Sequence, residues 1–307
     1  MSEFKLNTPV AFLIFNRPET TERVFNEIAR ARPPKLLVVA DGPRVGRAGE
    51  AERCAQTRAV IDRVDWDCEV LTNYSEVNLG CKMRVASGID WIFQQVEEAI
   101  ILEDDCLPEP SFFRYCEELL VRYRDNPRVG MISGGNLQFG RKRGEGSYYF
   151  SRYTHIWGWA SWRRAWSLYD REITRWPAFR DQGWLDRLFE TQGERDYWRT
   201  SFQLVFDGKL DTWDCSWTFT ALVNGLLQVA PNVNLISNIG FGPDATHTHV
   251  EGAHANMPTS PIEFPLKHPD FVLQDTDADR FIASDQLAPS FARRQWRRVA
   301  RRLGFAH

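Results

Sequence analysis

Short apolar runs alternate along the first half of the chain with segments whose apolar positions recur at helical spacing. Pro9 to Phe15 (PVAFLIF) shows no polar face, which predicts a strand covered on both sides. It stops at Asn16, Arg17 and Pro18, after which Val24, Phe25, Ile28 and Ala31 predict a helix over Glu19–Arg32, with Thr20 and Thr21 suited to its start. Lys35 to Ala40 (KLLVVA) predicts a second buried strand, closed by Asp41, Gly42 and Pro43. A polar stretch from Arg44 to Glu52 leads into a helix through about Val64, and Cys68 to Asn73 predicts a third strand. Asn78, Leu79 and Gly80 introduce a helix carrying Val85, Ile89, Ile92, Phe93 and Val96 on one face.

The next apolar run, Ala99 to Leu102, ends abruptly at Glu103, Asp104 and Asp105. Pro108 and the stripe Phe112, Phe113, Cys116, Leu119, Leu120 and Tyr123 predict strand, turn, then helix. Val129 to Ser133 predicts a fifth strand. This alternation predicts an α/β fold: a mostly parallel sheet sandwiched by helices, with right-handed crossovers.

Beyond Gly135 the chain turns aromatic and irregular, and nine of its twelve tryptophans lie between Trp157 and Trp217. These suit either a core or, at Trp157, Trp159 and Trp213, a groove for sugar rings. Cys215 to Pro243 carries no charge, yet its Asn, Gly and Pro residues predict a helix followed by a strand, not a membrane span. The division predicted is 1–135, 136–250, a surface tail over 251–288, and a basic helix over 289–307.

In open α/β sheets ligands gather at the carboxyl ends of strands, so the three acids sit where chemistry is expected. Adjacent carboxylates repel, and a hard divalent cation, Mg²⁺ or Mn²⁺, is their natural compensator. The competing reading is a solvated acidic turn. With 43% hydrophobic residues and a net charge of −3, the chain reads as folded and without the basic field of a nucleic-acid binder. Six cysteines without a C-x-x-C pair, and an N-terminus without a signal-peptide pattern, predict reduced thiols and a cytoplasmic location.

The succession of strand plus NRP, strand plus ADGP, NLGCKMRVASGIDWIF, ILEDD with a following proline, and a Trp-rich half resembles the GT-A nucleotide-sugar glycosyltransferases. It is most similar to the N-acetylglucosaminyltransferase I type and its bacterial relatives, over about Val10 to His249. The resemblance implies a nucleotide-sugar donor, with UDP the nucleotide suggested, a Mn²⁺ or Mg²⁺ ion, a glycan or lipid-linked acceptor and an inverting transfer. It implies Asp105 as metal ligand, Asp104 and Glu103 toward the ribose and donor sugar, Asn16, Arg17 and Asp41 at the nucleotide, and Arg84 at the diphosphate. Residues 1–135 then form the donor half and 136–250 the acceptor half.

An inverting transfer needs a carboxylate to deprotonate the acceptor. Asp214 in LDTWDCSW is the first candidate, Asp211 the close competitor and Asp244 the third; Asp214 read structurally caps a helix. His247 and His249 face one side of an extended THTH segment, where His247 would complete the metal shell and His249 contact the donor, or both are surface imidazoles. The C-terminal stripe Ala292, Trp296, Val299, Ala300 and Leu303, flanked by six arginines, suits an anionic membrane surface at the inner face of the membrane, or docking on the protein itself. The runner-up activities are a nucleotidyltransferase making a sugar nucleotide and a non-catalytic glycan-binding module. NRPET is a poor substitute for a phosphate loop.

Overall fold

The computed structural model describes residues 4–241 and 255–287, and the basic helix expected over 289–307 lies outside the described residues. The first half runs β1 (Val10–Ile14), α1 (Pro18–Ala31), β2 (Lys35–Ala40), α2 (Glu50–Ala59), β3 (Glu69–Tyr74), α3 (Gly80–Gln95) and β4 (Glu98–Glu103). Helix α1 begins two residues before the expected Thr20, because Pro18 occupies its first turn, where a fixed φ and a missing N–H cost nothing. After β4 come β5 (Cys106–Pro108), α4 (Ser111–Tyr123) and β6 (Val129–Ser133). The aromatic half adds β7 (Tyr148–Ser151), β8 (Trp159–Trp162), α5 (Arg163–Trp166), α6 (Trp176–Asp181), α7 (Trp184–Leu188), α8 (Gln192–Phe206), α9 (Asp214–Val223), β9 (Leu227–Pro231), β10 (Ile236–Asn238) and α10 (Thr276–Ile282).

Eight strands form one sheet in the order β3-β2-β1-β4-β8-β6-β9-β7. Strands β1 to β4 run parallel to one another, as the unbroken apolar runs of β1, β2 and β4 predict. Strand β8 enters antiparallel between β4 and β6, and β7 lies antiparallel to β9. Both halves of the sequence therefore share a single sheet and a single main core, which extends from Leu6 to Leu266. A separate ribbon pairs β5 with β10. Three residues containing a proline are too few to show a period, which is why β5 was absent from the sequence pattern.

Most tryptophans of the aromatic half are core. Trp159 is buried on β8 and stacks on Trp213 at 5.8 Å, so of its two readings the core one holds. Trp166 stacks on Tyr169 at 4.2 Å and tilts against Trp217 at 5.3 Å. This cluster fixes the start of α9 against the sheet. A second cluster gathers Tyr153, Trp176, Trp198, Phe202 and Phe219 between α6, α8 and α9. Residues 255–287 follow the surface but bury Ile262, Leu266, Ala278 and Ile282, and Asp279 accepts from Ser151 at 2.5 Å and from the Arg152 backbone at 3.2 Å.

Replacing Trp159 with Ala is expected to cost about 3–5 kcal/mol by urea unfolding followed in the far ultraviolet, while Trp184→Ala, at an exposed position, costs under about 1 kcal/mol. Equal losses would refute the assignment of the Trp159 stack to the core.

Candidate functional site

Parallel register sets the ends of three strands level. Ile14 pairs with Ala40 and Leu13 with Glu103, so the residues that follow β1, β2 and β4 emerge side by side at the carboxyl edge. They form the floor of a cleft of about 900 Å³. Its far wall comes from the aromatic half, with Tyr153, Thr154, Trp157, Trp198, Trp213 and Asp214 among its lining.

Glu103 ends β4, Asp104 is buried, and Asp105 is partly open to the cleft. Arg17, held at the head of α1 by the bond from Thr21 N–H to its carbonyl (3.0 Å), spans two of these acids. Its Nη2 donates to Asp104 Oδ1 at 2.5 Å and its Nη1 to Asp105 Oδ2 at 3.0 Å. Asp104 Oδ2 also accepts from the Phe15 backbone N–H at 3.0 Å, which ties β1 to the acids. Burial, then Asp105 and Asp104, push Glu103 up to about 8 against the opposing pull of Arg17. Burial pushes Asp104 up to about 6, offset mainly by Arg17. One guanidinium thus faces three desolvated acids and leaves their repulsion only partly compensated.

The wall over these acids approaches closely. Ile239 N–H donates to the Asp105 carbonyl at 2.8 Å. A Cβ at Gly240 would lie 2.1 Å from Asp105 Oδ2 and 2.7 Å from Arg17 Nη1, so only glycine permits this approach.

Asp41 and Arg84 also line the cleft, and both make hydrogen bonds within the protein. Asp41 accepts from Leu79 N–H at 2.9 Å, Gly80 N–H at 3.2 Å, Gly42 N–H at 2.9 Å and Asn78 Nδ2 at 3.0 Å. It pins the N-terminus of α3, and burial raises its carboxyl above the ordinary value. Arg84 donates Nε to the Ala40 carbonyl at 3.1 Å and Nη2 to Asn73 Oδ1 at 2.9 Å, bracing α3 against β2 and β3. Asn16 donates to Glu50 Oε1 at 3.0 Å, and Arg44 binds the same carboxylate.

The two candidate bases are placed differently. Asp211 is exposed, accepts from the Lys82 N–H at 3.2 Å, and lies 3.1 Å from where a Cβ at Gly80 (φ +78°) would stand. Asp214 begins α9, is half-buried, accepts from the Thr212 hydroxyl, and is close enough to add to the upward shift of Glu103 and of the Cys81 thiol. The sequence reading missed Tyr153 and Trp198, which stack at 6.2 Å in the cleft wall, and Glu194, whose N–H donates to the Thr191 cap of α8 and whose carboxylate accepts from Tyr153. The T-x-x-E spacing from Thr191 to Glu194 was the available signal. Asp244, His247 and His249 lie outside the described residues.

Among the described residues no point is ringed by three or more His, Cys, Asp or Glu side chains able to hold a metal. The donor set at Asp104 and Asp105 is hard oxygen from one or two carboxylates. That fits Mg²⁺ or Mn²⁺ completed by phosphate and water, and does not fit an all-protein cage.

Because the native Glu103 carboxyl is raised toward 8 from an ordinary 4.5, the folded state holds the extra proton across that interval. Its contribution to stability is complete below about pH 4.5 and fades as pH rises through 8. Thermal melts of metal-free protein are expected to show Tm falling from pH 5 to pH 8, with Glu103→Gln flattening the fall; equal slopes would count against the burial of Glu103.

No protein-family model matches the chain, and no curated protein matches it by sequence. Solved structures with a similar fold include a UDP-glucose pyrophosphorylase complexed with UDP-glucose (8% identity, 72% of this chain and 90% of that one, TM-score 0.34). They also include mouse xyloside xylosyltransferase 1 (10% identity, 71% and 84%, TM-score 0.33). A third is the 4-diphosphocytidyl-2C-methyl-D-erythritol synthase of Anaerococcus prevotii (8% identity, 66% and 84%, TM-score 0.33).

Proposed function

We propose that the protein is a metal-dependent, inverting glycosyltransferase that moves a sugar from a nucleoside-diphosphate donor to a glycan or glycolipid acceptor. The observation that carries this reading is the division of one cleft into a charged floor, Arg17 with Glu103, Asp104 and Asp105, and an aromatic wall bearing Asp214. A charged floor suits a diphosphate, aromatic faces suit sugar rings, and a carboxylate between them suits proton removal.

In this reaction the bond from the anomeric carbon to a phosphate oxygen breaks, and the acceptor oxygen bonds to the same carbon from the opposite face. Negative charge builds on the departing diphosphate. Asp105, with Asp104 beside it, would hold a divalent ion, which would supply Lewis-acid stabilisation of that charge. Arg17 adds a planar fork suited to phosphate oxygens. Asp214 takes the acceptor proton, its carboxylate oriented by the Thr212 hydroxyl. Trp157, edge-on to Phe241 at 6.1 Å, and the Tyr153–Trp198 stack exclude water and orient the acceptor ring.

Calorimetry with UDP, GDP, CDP and dTDP, each with and without Mn²⁺, tests the donor site. One diphosphate is expected to bind tightly only with metal, and Asp105→Ala is expected to weaken it at least about 100-fold. Binding that ignores both metal and the substitution would overturn the reading.

Asp214→Asn is expected to lower kcat by roughly 10²–10⁴ while diphosphate affinity stays within about threefold. Asp211→Asn is expected to leave kcat within about tenfold and stability within about 1 kcal/mol, since the amide oxygen still accepts from the Lys82 N–H at the head of α3. The reverse ranking would move the base to Asp211. Release of pyrophosphate from a nucleoside triphosphate and a sugar phosphate would replace the proposal with a nucleotidyltransferase.

A further inference from the structure

We propose that Arg17 is the resident counter-cation of the acidic strand end, exchanged for the divalent ion when donor arrives, so that metal and diphosphate bind strongly only together. The inference rests on the donor-site reading and deepens it.

Arg17 occupies the oxygens a metal would use. Its two terminal nitrogens hold Asp104 Oδ1 and Asp105 Oδ2 at 2.5 and 3.0 Å, and its side chain is only 18% exposed. The pair is closed from above by Gly240, whose absent Cβ leaves just enough room for both partners. Although burial opposes its charge, the carboxylates hold the guanidinium fully protonated. It cannot shed its charge to admit a second cation.

A divalent ion at Asp105 therefore meets two obstacles: an oxygen already used and a positive charge one carboxylate away. Metal alone binds weakly for that reason. Diphosphate alone meets the remaining acids, including the buried Asp104, and is repelled. Arriving together, the ion takes the carboxylate oxygen, and the released guanidinium finds phosphate oxygens that match its fork. Each ligand removes the other's obstacle, and the coupling is reciprocal. Arg17 needs only a side-chain rotation, since its backbone is fixed at the head of α1 by the bond from Thr21.

The test measures Mn²⁺ binding by calorimetry in wild type, Arg17→Gln and Arg17→Lys, with no nucleotide and then with saturating UDP or whichever diphosphate the wild type selects. Arg17→Gln is expected to bind Mn²⁺ alone at least about tenfold more tightly than wild type and to lose at least about tenfold of the metal–diphosphate coupling. Arg17→Lys, which keeps the charge, is expected to stay weak toward Mn²⁺ alone. Melting in parallel guards against a folding defect: metal-free Arg17→Gln should melt lower than wild type, and Mn²⁺ should raise its Tm more than it raises that of wild type.

Arg17→Gln binding Mn²⁺ alone no more tightly than wild type, or gaining no extra Tm from it, overturns the exchange. A wild type that binds no diphosphate with Mn²⁺ overturns the donor-site reading instead, and the nucleotide-free measurements still decide whether Arg17 stands in for a cation.

Discussion

Three acids in succession at the end of a buried strand create the constraint around which this molecule is arranged. Their mutual repulsion and loss of water must be met locally. The Arg17 guanidinium and the Phe15 N–H meet it in part. Both come from the end of β1, which is possible only because β1 and β4 are parallel neighbours with Leu13 opposite Glu103. The register of the sheet and the electrostatics of the cleft are therefore one problem with one solution. The backbone of Ile239 and Gly240 then closes over Asp105 and Arg17 from above.

A similar economy governs the aromatic half. The Trp159, Trp166, Trp213 and Trp217 cluster is apolar packing, yet it sets the position of Asp214 at the first turn of α9. Burial far from the cleft thus determines a carboxylate in it. The second aromatic cluster does the same for Tyr153 and Trp198, whose rings belong to the core on one side and to the cleft wall on the other.

Much of the fold was legible in the sequence because uninterrupted apolar runs and helical stripes carry their period within a few residues. PVAFLIF, KLLVVA and AIILE became β1, β2 and β4, with the acids at the expected carboxyl edge. The insertion of β8 between β4 and β6 was not legible, since pairing across the sheet depends on distant residues. At the site, a charge beside a strand end reads alike whether it faces a ligand or a neighbouring helix. Arg17, Asp105, Asp41 and Arg84 all line the cleft, and Asp41 and Arg84 also bond to the head of α3 and to backbone groups. How closely Gly240 approaches Asp105 is set in space and leaves no pattern along the chain.

The place of β8 has a consequence for how the protein is made. Strand β4 is complete once residue 103 has been synthesised, but its second edge is filled only by Trp159–Trp162. Until then a growing chain carries the whole β3-β2-β1-β4 layer with one apolar edge unpaired, a template for wrong partners. Strand β6 emerges earlier yet has no neighbour to join before β8 arrives. Vectorial synthesis therefore holds an unfinished sheet across more than fifty residues of translation. A chain cut near residue 135 would end with that edge bare, so the first half of the sequence depends on the second for its solubility.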